Sequence, residues 1–324
     1  MKQLDFEKKH QEFWGTFSTL LDQLDGRIKQ HDKVSLNKFP SFYRKLCQHY
    51  SISQSRQYSP VLTDYLHQLV LRGHRHLYAK KASVFVSAFQ FIAQGFPVAL
   101  RKHWQPWVIS SALLYLPGIF MGIMCFNNSE FLYTLVSYEQ VQEIEYMYDP
   151  STDRVGRAEG RQSDSDFLMF GHYILNNIGI DFKAYATGLL FGLGSIFFMV
   201  FNGLYIGGIA GHLTNKDFID TFWGFVAGHS ALELTAATIA GAAGLKLGYA
   251  LINPKSYTRI LALKKAGVET FPLITGAALM TFLAAFVEGF WSATSGIQPE
   301  IKYAVGLLAW FALFSYLLFA GRKS

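Results

Sequence analysis

The sequence predicts an all-α polytopic membrane protein with a cytosolic helical N-terminal domain, and three observations carry that reading. Of its 324 residues 51% are hydrophobic and only 16% charged, a balance more apolar than soluble proteins show. The charge is split: residues 1–106 carry sixteen Lys and Arg against seven Asp and Glu, and the rest carry thirteen against sixteen. The uncharged apolar runs of about twenty residues, enough to cross a hydrocarbon core of about 30 Å, all lie beyond residue 106. Cys47 and Cys125 are the only cysteines, which excludes a disulfide scaffold and argues against a zinc–cysteine site. The charged opening Met1–Phe13 has no apolar stretch behind it, so no signal peptide is expected.

The first element is amphipathic. Phe6, Phe13, Phe17, Leu20, Leu21 and Leu24 recur at helical spacing between charged residues. Pro40 opens a second helix with Phe42, Leu46 and Tyr50 on one face, and Ser59-Pro60 a third with Leu62, Leu66, Leu69 and Val70. A small cytosolic bundle over 1–82 follows. The basic residues Arg72, Arg75, Lys80 and Lys81 are interleaved with Leu71, Leu77 and Tyr78 and precede a membrane, so they read as a solvated or lipid-facing surface and nucleic acid is not an expected partner. Residues 83–106 are apolar but broken by Gln90, Gln94 and Pro97, and end in Arg101-Lys102-His103-Trp104. That pattern suits an interfacial amphipathic helix, with rings and cations at the headgroup layer.

The spans follow in order. Residues 107–126 are uncharged and form the first. Residues 127–181 are expected as an outer-face loop: Asn127–Leu168 holds nine acids against Arg154, Arg157 and Arg161, and Ser137–Tyr148 forms a short capped acidic helix. Residues 182–324 then make the main membrane domain. Residues 182–212 read as one bent span, with a break at Asn202-Gly203. Residues 218–252 begin and end on the basic side, so they are expected as an apolar helical hairpin. Residues 271–294 and 303–320 complete the set, giving four full spans plus the hairpin, or six if each arm crosses. Gly203, Gly207 and Gly211 lie four apart, as do Gly224 and Gly228, and then Ala236, Ala240, Gly244 and Gly248. Such ridges let helix backbones approach closely in lipid.

Several separated segments resemble the stage II sporulation protein M family of integral membrane proteins. They are Tyr43-Arg44, Leu69–His74 with Leu77-Tyr78, Glu145–Tyr148, Tyr173–Asn177, Asn202-Gly203 with Gly207-Gly208, and Gly228-His229-Ser230-Ala231-Leu232-Glu233-Leu234. Family members usually begin the last segment Pro-His-Gly, so Gly228 and Ser230 depart from the pattern. Glu288, before Gly289-Phe290-Trp291-Ser292, resembles a second family acid, and the likeness runs from about Phe6 to Ala320. The resemblance implies a bacterial inner-membrane protein. Founding members act with peptidoglycan-degrading partners during engulfment, and others are encoded beside an AAA-type ATPase and further membrane proteins.

The candidate site is a buried polar cluster of His229, Glu233 and Glu288 with Asn176, Asn177 and Asn202. His229 and Glu233 are four apart and share a helix face. A charged group at mid-membrane costs about 2.5–3.5 kcal/mol on insertion scales, so each needs a partner. The cluster reads as a polar clamp, as an ion or proton site, or, with His212 or His172, as a metal site without diagnostic spacing. No His-Glu-x-x-His or Gly-x-Ser-x-Gly frame is present, so no enzymatic activity and no cofactor are expected. The sequence leads to a scaffold or assembly partner of a cell-envelope complex, with a channel or proton-coupled transporter as the alternative. The expected partners are the bilayer, other envelope proteins and a second copy of the chain.

Overall fold

The computed structural model describes residues 2–25, 39–78, 84–151, 166–294 and 296–322. Within them the chain is helical, with no strand among the described residues. Lys80 and Lys81, and most of the polar linker expected over 149–166, lie outside the described residues. The chain divides into two compact units, Met1–Val84 and Phe85–Ser324.

The first unit packs α1 (Gln3–Leu24), α2 (Phe39–Ser55) and α3 (Pro60–Tyr78) around their apolar stripes. Phe6, Phe17, Leu21, Leu46 and Leu66 are fully enclosed. Trp14 Nε1 donates to His49 Nδ1 at 3.0 Å. Burial holds the His49 imidazole down at about 4, so it stays neutral and can accept that bond. At the far end of α1 the Arg72 guanidinium meets Asp22 at 2.7 Å and Asp25 at 2.6 Å, and His76 meets Asp25 at 2.7 Å.

In the region read as an interfacial helix over 83–106, the second unit begins with α4 (Val84–Gln90), one π-helical turn (Phe91–Gly95) and α5 (Phe96–Lys102), which follow one another without a break. Next come α6 (Trp104–Asn127), the acidic α7 (Tyr138–Tyr148), α8 (Asp166–Tyr173), a π turn (Ile174–Ile178) and α9 (Gly179–Ala186). Then follow α10 (Leu193–Asn215), α11 (Ile219–Ala227), α12 (Ser230–Ile252), α13 (Arg259–Val287), a π turn (Glu288–Ser292) and α14 (Pro299–Phe319). Ser137 caps α7 in a reciprocal pair with Gln140. Five of these stretches are long and apolar enough to cross a membrane: α6, α10, α12, α13 with its π turn, and α14.

Close glycine contacts fix the directions. A Cβ on Gly203, Gly207 or Gly211 would stand 2.2, 2.0 or 2.1 Å from the carbonyl oxygens of Leu114, Gly118 and Gly122. The pairs advance together, so α6 and α10 run parallel. Parallel neighbours need a return pass between them, and residues 166–189 supply it. There Asn177 meets Glu288, Asp181 meets Thr281 and Tyr185 meets Thr270, so α8 and α9 run antiparallel to α13. This corrects two expectations. The outer loop read as 127–181 stops short of α8, and the bent span read as 182–212 is two passes that turn at Thr187–Gly192, where Phe191 and Gly192 both take positive φ. Asn176, Asn177, Asp181 and Lys183 make that pass too polar to stand out by hydropathy.

The apolar hairpin expected over 218–252 is also absent as such. Its first arm is α11, nine residues and about 13 Å long, which ends beside α14 with Ala227 O next to Gly306. Its second arm, α12, is the most enclosed helix, antiparallel to α10 with Gly244 against Ser195 and Gly248 against Gly192. Among the described residues six passes therefore run along the bundle, five of them long and apolar enough to cross a membrane. One end collects Arg101, whose guanidinium donates to the carbonyls of Leu317 and Ala320, and Lys246 with Glu269 at 2.7 Å. The other end collects α7, where Glu145 takes His212 at 2.7 Å and Lys216 at 3.2 Å.

Candidate functional site

Three elements meet at the site. The chain between α11 and α12 places His229 at the N-terminus of α12, one turn before Glu233. The π turn ending α13 presents Glu288 and Ser292 from one side. The π turn between α8 and α9 presents Asn177 from another. A π turn widens the backbone by one residue and re-aims the side chains that follow it, and here two such turns face each other across the cluster.

The ligand-type atoms of His229, Glu233 and Glu288 all lie within 4.8 Å of one another. His229 Nε2 stands 3.7 Å from Glu233 Oε2, and His229 Nδ1 is 3.1 Å from Ser292 Oγ. Asn177 Nδ2 donates to Glu288 Oε2 at 3.4 Å, and Asn176 Nδ2 donates to Asn177 Oδ1 at 2.8 Å. His229 and Glu288 are buried, while the Glu233 side chain keeps 27% of its surface, so the cluster opens on that flank. Phe225 covers His229 edge-on at 5.4 Å, and Tyr148 of α7 packs on Phe222 and Phe225. Gly228 admits the Trp291 ring, which a Cβ would meet at 2.3 Å.

Of the residues expected here, five are brought together and one is not. Asn202 donates to the carbonyl of Phe198, one turn back on its own helix. A mid-helix Asn satisfies itself locally, and this one takes no part in the cluster. Among the glycines, Gly203, Gly207 and Gly211 seat α10 on α6, Gly244 and Gly248 seat α12 on the Ala184 carbonyl and Gly192, and Gly224 lies beside Lys302 and Pro299. His212 belongs to the acidic end with Glu145.

The structure adds residues that were not anticipated. Lys302 is buried and donates from Nζ to the Ser292 carbonyl at 2.8 Å. Asp181 is buried and accepts from the Thr281 hydroxyl. A signal for Asp181 was present: Asn177, Asp181 and Tyr185 recur four apart, one stripe of a helix. Lys302 gave none, because it sits three residues into a helix where a flanking lysine is ordinary.

The chemistry of this arrangement is that of a held charge. Two carboxylates and an imidazole in a largely dry setting require a positive partner, a proton or a metal ion. No curated protein and no solved structure matches the chain. Residues 4–79 match a family described as Domain of unknown function (DUF8413). Residues 111–293 match the family described as Stage II sporulation protein M. The likeness seen from about Phe6 to Ala320 thus resolves into two family stretches, and Tyr43-Arg44 and Leu69–His74 fall in the first. More than half of the sequence lies in the second, with His229, Glu233, Glu288, Asn176, Asn177 and Ser292 inside it, and the chain belongs to the stage II sporulation protein M family.

Proposed function

We propose that this membrane protein is a non-enzymatic scaffold in a cell-envelope complex of the bacterial cytoplasmic membrane. The observation that carries the reading is the division into two separately cored units, a bundle built around α1, α2 and α3 and a helical membrane unit. A bundle with its own core presents a surface to other proteins independently of the spans. The basic end of the membrane unit, with Arg101, Lys102, Arg259 and Lys264, faces the cytoplasm under the positive-inside tendency, and the acidic α7 faces outward. The N-terminal bundle is then cytoplasmic. Its partners are other envelope proteins, with an AAA-type ATPase system and a second copy of the chain among the candidates. Affinity capture from detergent-solubilised membranes tests this: the full chain is expected to retain partners that a chain lacking residues 1–80 loses. An identical partner set from both would refute the role of the bundle.

One observation favours the alternative, a proton- or ion-coupled transporter. Polar groups follow one seam between α8–α9, α12 and α13: Glu288 with Asn177, Asp181 with Thr281, Tyr185 with Thr270, and Glu269 with Lys246. Glu288 and Glu269 are nineteen residues apart on α13 and its π turn, about 28 Å by helical rise, close to a hydrocarbon core of about 30 Å. On the scaffold reading the seam is interhelical glue. On the transport reading it is a route, and conduction by proteoliposomes separates the two.

A further inference from the structure

We propose that His229, Glu233 and Glu288 form a binding site for a divalent transition-metal ion of the zinc class. The inference is independent of whether the protein is a scaffold or a transporter. It rests on the donor set and on the groups that orient it.

One imidazole and two carboxylates converge with their donor atoms within 4.8 Å. In a tetrahedral zinc site, Zn–N and Zn–O bonds of about 2.0–2.1 Å put neighbouring donors about 3.3 Å apart. His229 Nε2 and Glu233 Oε2, at 3.7 Å, are already near that spacing. The remaining approach is within the reach of a glutamate side chain rotating about its own bonds. The nitrogen donor and the small number of protein oxygens suit zinc and its neighbours better than calcium or magnesium, which take six or more oxygens or retain most of their water.

The outer partners are those a metal site needs. A ligating histidine is held by a hydrogen bond at its other ring nitrogen, which fixes the tautomer. His229 Nδ1 has such a bond available in Ser292 Oγ at 3.1 Å; when Nδ1 donates there, the Nε2 lone pair is directed at Glu233. Glu288 is held in turn by the Asn177 amide, itself held by Asn176. Lys302 fixes the Ser292 backbone from behind through its carbonyl. A divalent ion would also neutralise the two carboxylates that burial leaves without an ion-paired lysine or arginine among the described residues. The partly exposed flank of Glu233 is the entry path and the place for a fourth ligand, water.

The test is metal content of the full chain in lipid nanodiscs, equilibrated with zinc alone and freed of excess ion. About one zinc per chain is expected, bound by one nitrogen and otherwise oxygen donors at about 2.0–2.1 Å in X-ray absorption. That measurement on the unmodified protein does not depend on any variant folding. His229→Ala and Glu288→Gln are expected to lose the ion, and Ser292→Ala to weaken its affinity by about 10–100-fold. Asp181→Asn, one turn along the seam, should retain it. Wild-type protein without stoichiometric zinc, a sulfur donor in the spectrum, or zinc lost on His49→Ala but kept on Glu288→Gln would each overturn the proposal.

Discussion

Replacing Gly207 with alanine tests the packing that brings the passes together. A Cβ at Gly207 would stand 2.0 Å from the Gly118 carbonyl oxygen, whereas ordinary contact begins at 3.4 Å. The obstacle is backbone, so no side chain can move aside, and α6 and α10 must part by more than an ångström. Gly203 and Gly211 grip the same face against Leu114 and Gly122, and both contacts loosen with it. A radial gap of about 0.5–1 Å already forfeits a quarter to a half of a dispersion contact. The expected cost is about 1–3 kcal/mol, a fall in Tm of very roughly 2–12 °C for a domain of this size. Cys125 on α6 is fully buried and would lie 3.7 Å from a Cβ on Gly208, so thiol labelling during a thermal ramp in a Cys47→Ser background reads the separation directly. Gly267→Ala is the control: nothing lies within 4 Å of its Cβ, and helix propensity alone should raise stability by up to about 1 kcal/mol. If Gly207→Ala melts with the wild type, the parallel pairing of α6 and α10 is wrong.

Two further outcomes are expected. The N-terminal bundle should lose stability as pH falls: His49 is held at about 4, below its ordinary 6.5, so the unfolded chain binds its proton first. The loss begins near pH 6.5, is complete below about 4 and is bounded by about 3 kcal/mol. Urea melts of residues 1–84 at pH 7.5 and 4.5 would show it, and equal midpoints would refute the buried neutral imidazole. Cysteines introduced at Ser151 and Lys264 should label from opposite faces of the membrane, Lys264→Cys from the cytoplasm; labelling of both from one face would contradict the six-pass arrangement.

Much of this fold was legible because its signals are local. The stripes on α1, α2 and α3, the Ser137 cap of α7 and the uncharged run of α6 are each set by neighbours in sequence. The pass over 166–189 was not, since Asn177 and Asp181 are tolerated there only by Glu288 and Thr281 more than ninety residues away. The short α11 reads in the sequence as one arm of an apolar hairpin for a related reason: hydropathy reports that a segment avoids water, not whether it does so in lipid or against α14. At the site, His229 and Glu233 were visible as an i, i+4 pair and Glu288 as an isolated acid. Ser292 and Lys302 became members only through the π turn that ends α13, which no spacing announces.

Whether the buried acids form a closed site or part of a route is decided most directly by proton flux. Full-length protein in proteoliposomes, given a pH step across the bilayer, should leak no faster than protein-free vesicles, because Glu288, Asp181 and Tyr185 are each bonded to a fixed partner in the seam. Flux above that baseline, abolished by Glu233→Gln and unaffected by deletion of residues 1–80, would contradict the scaffold reading and establish the transporter.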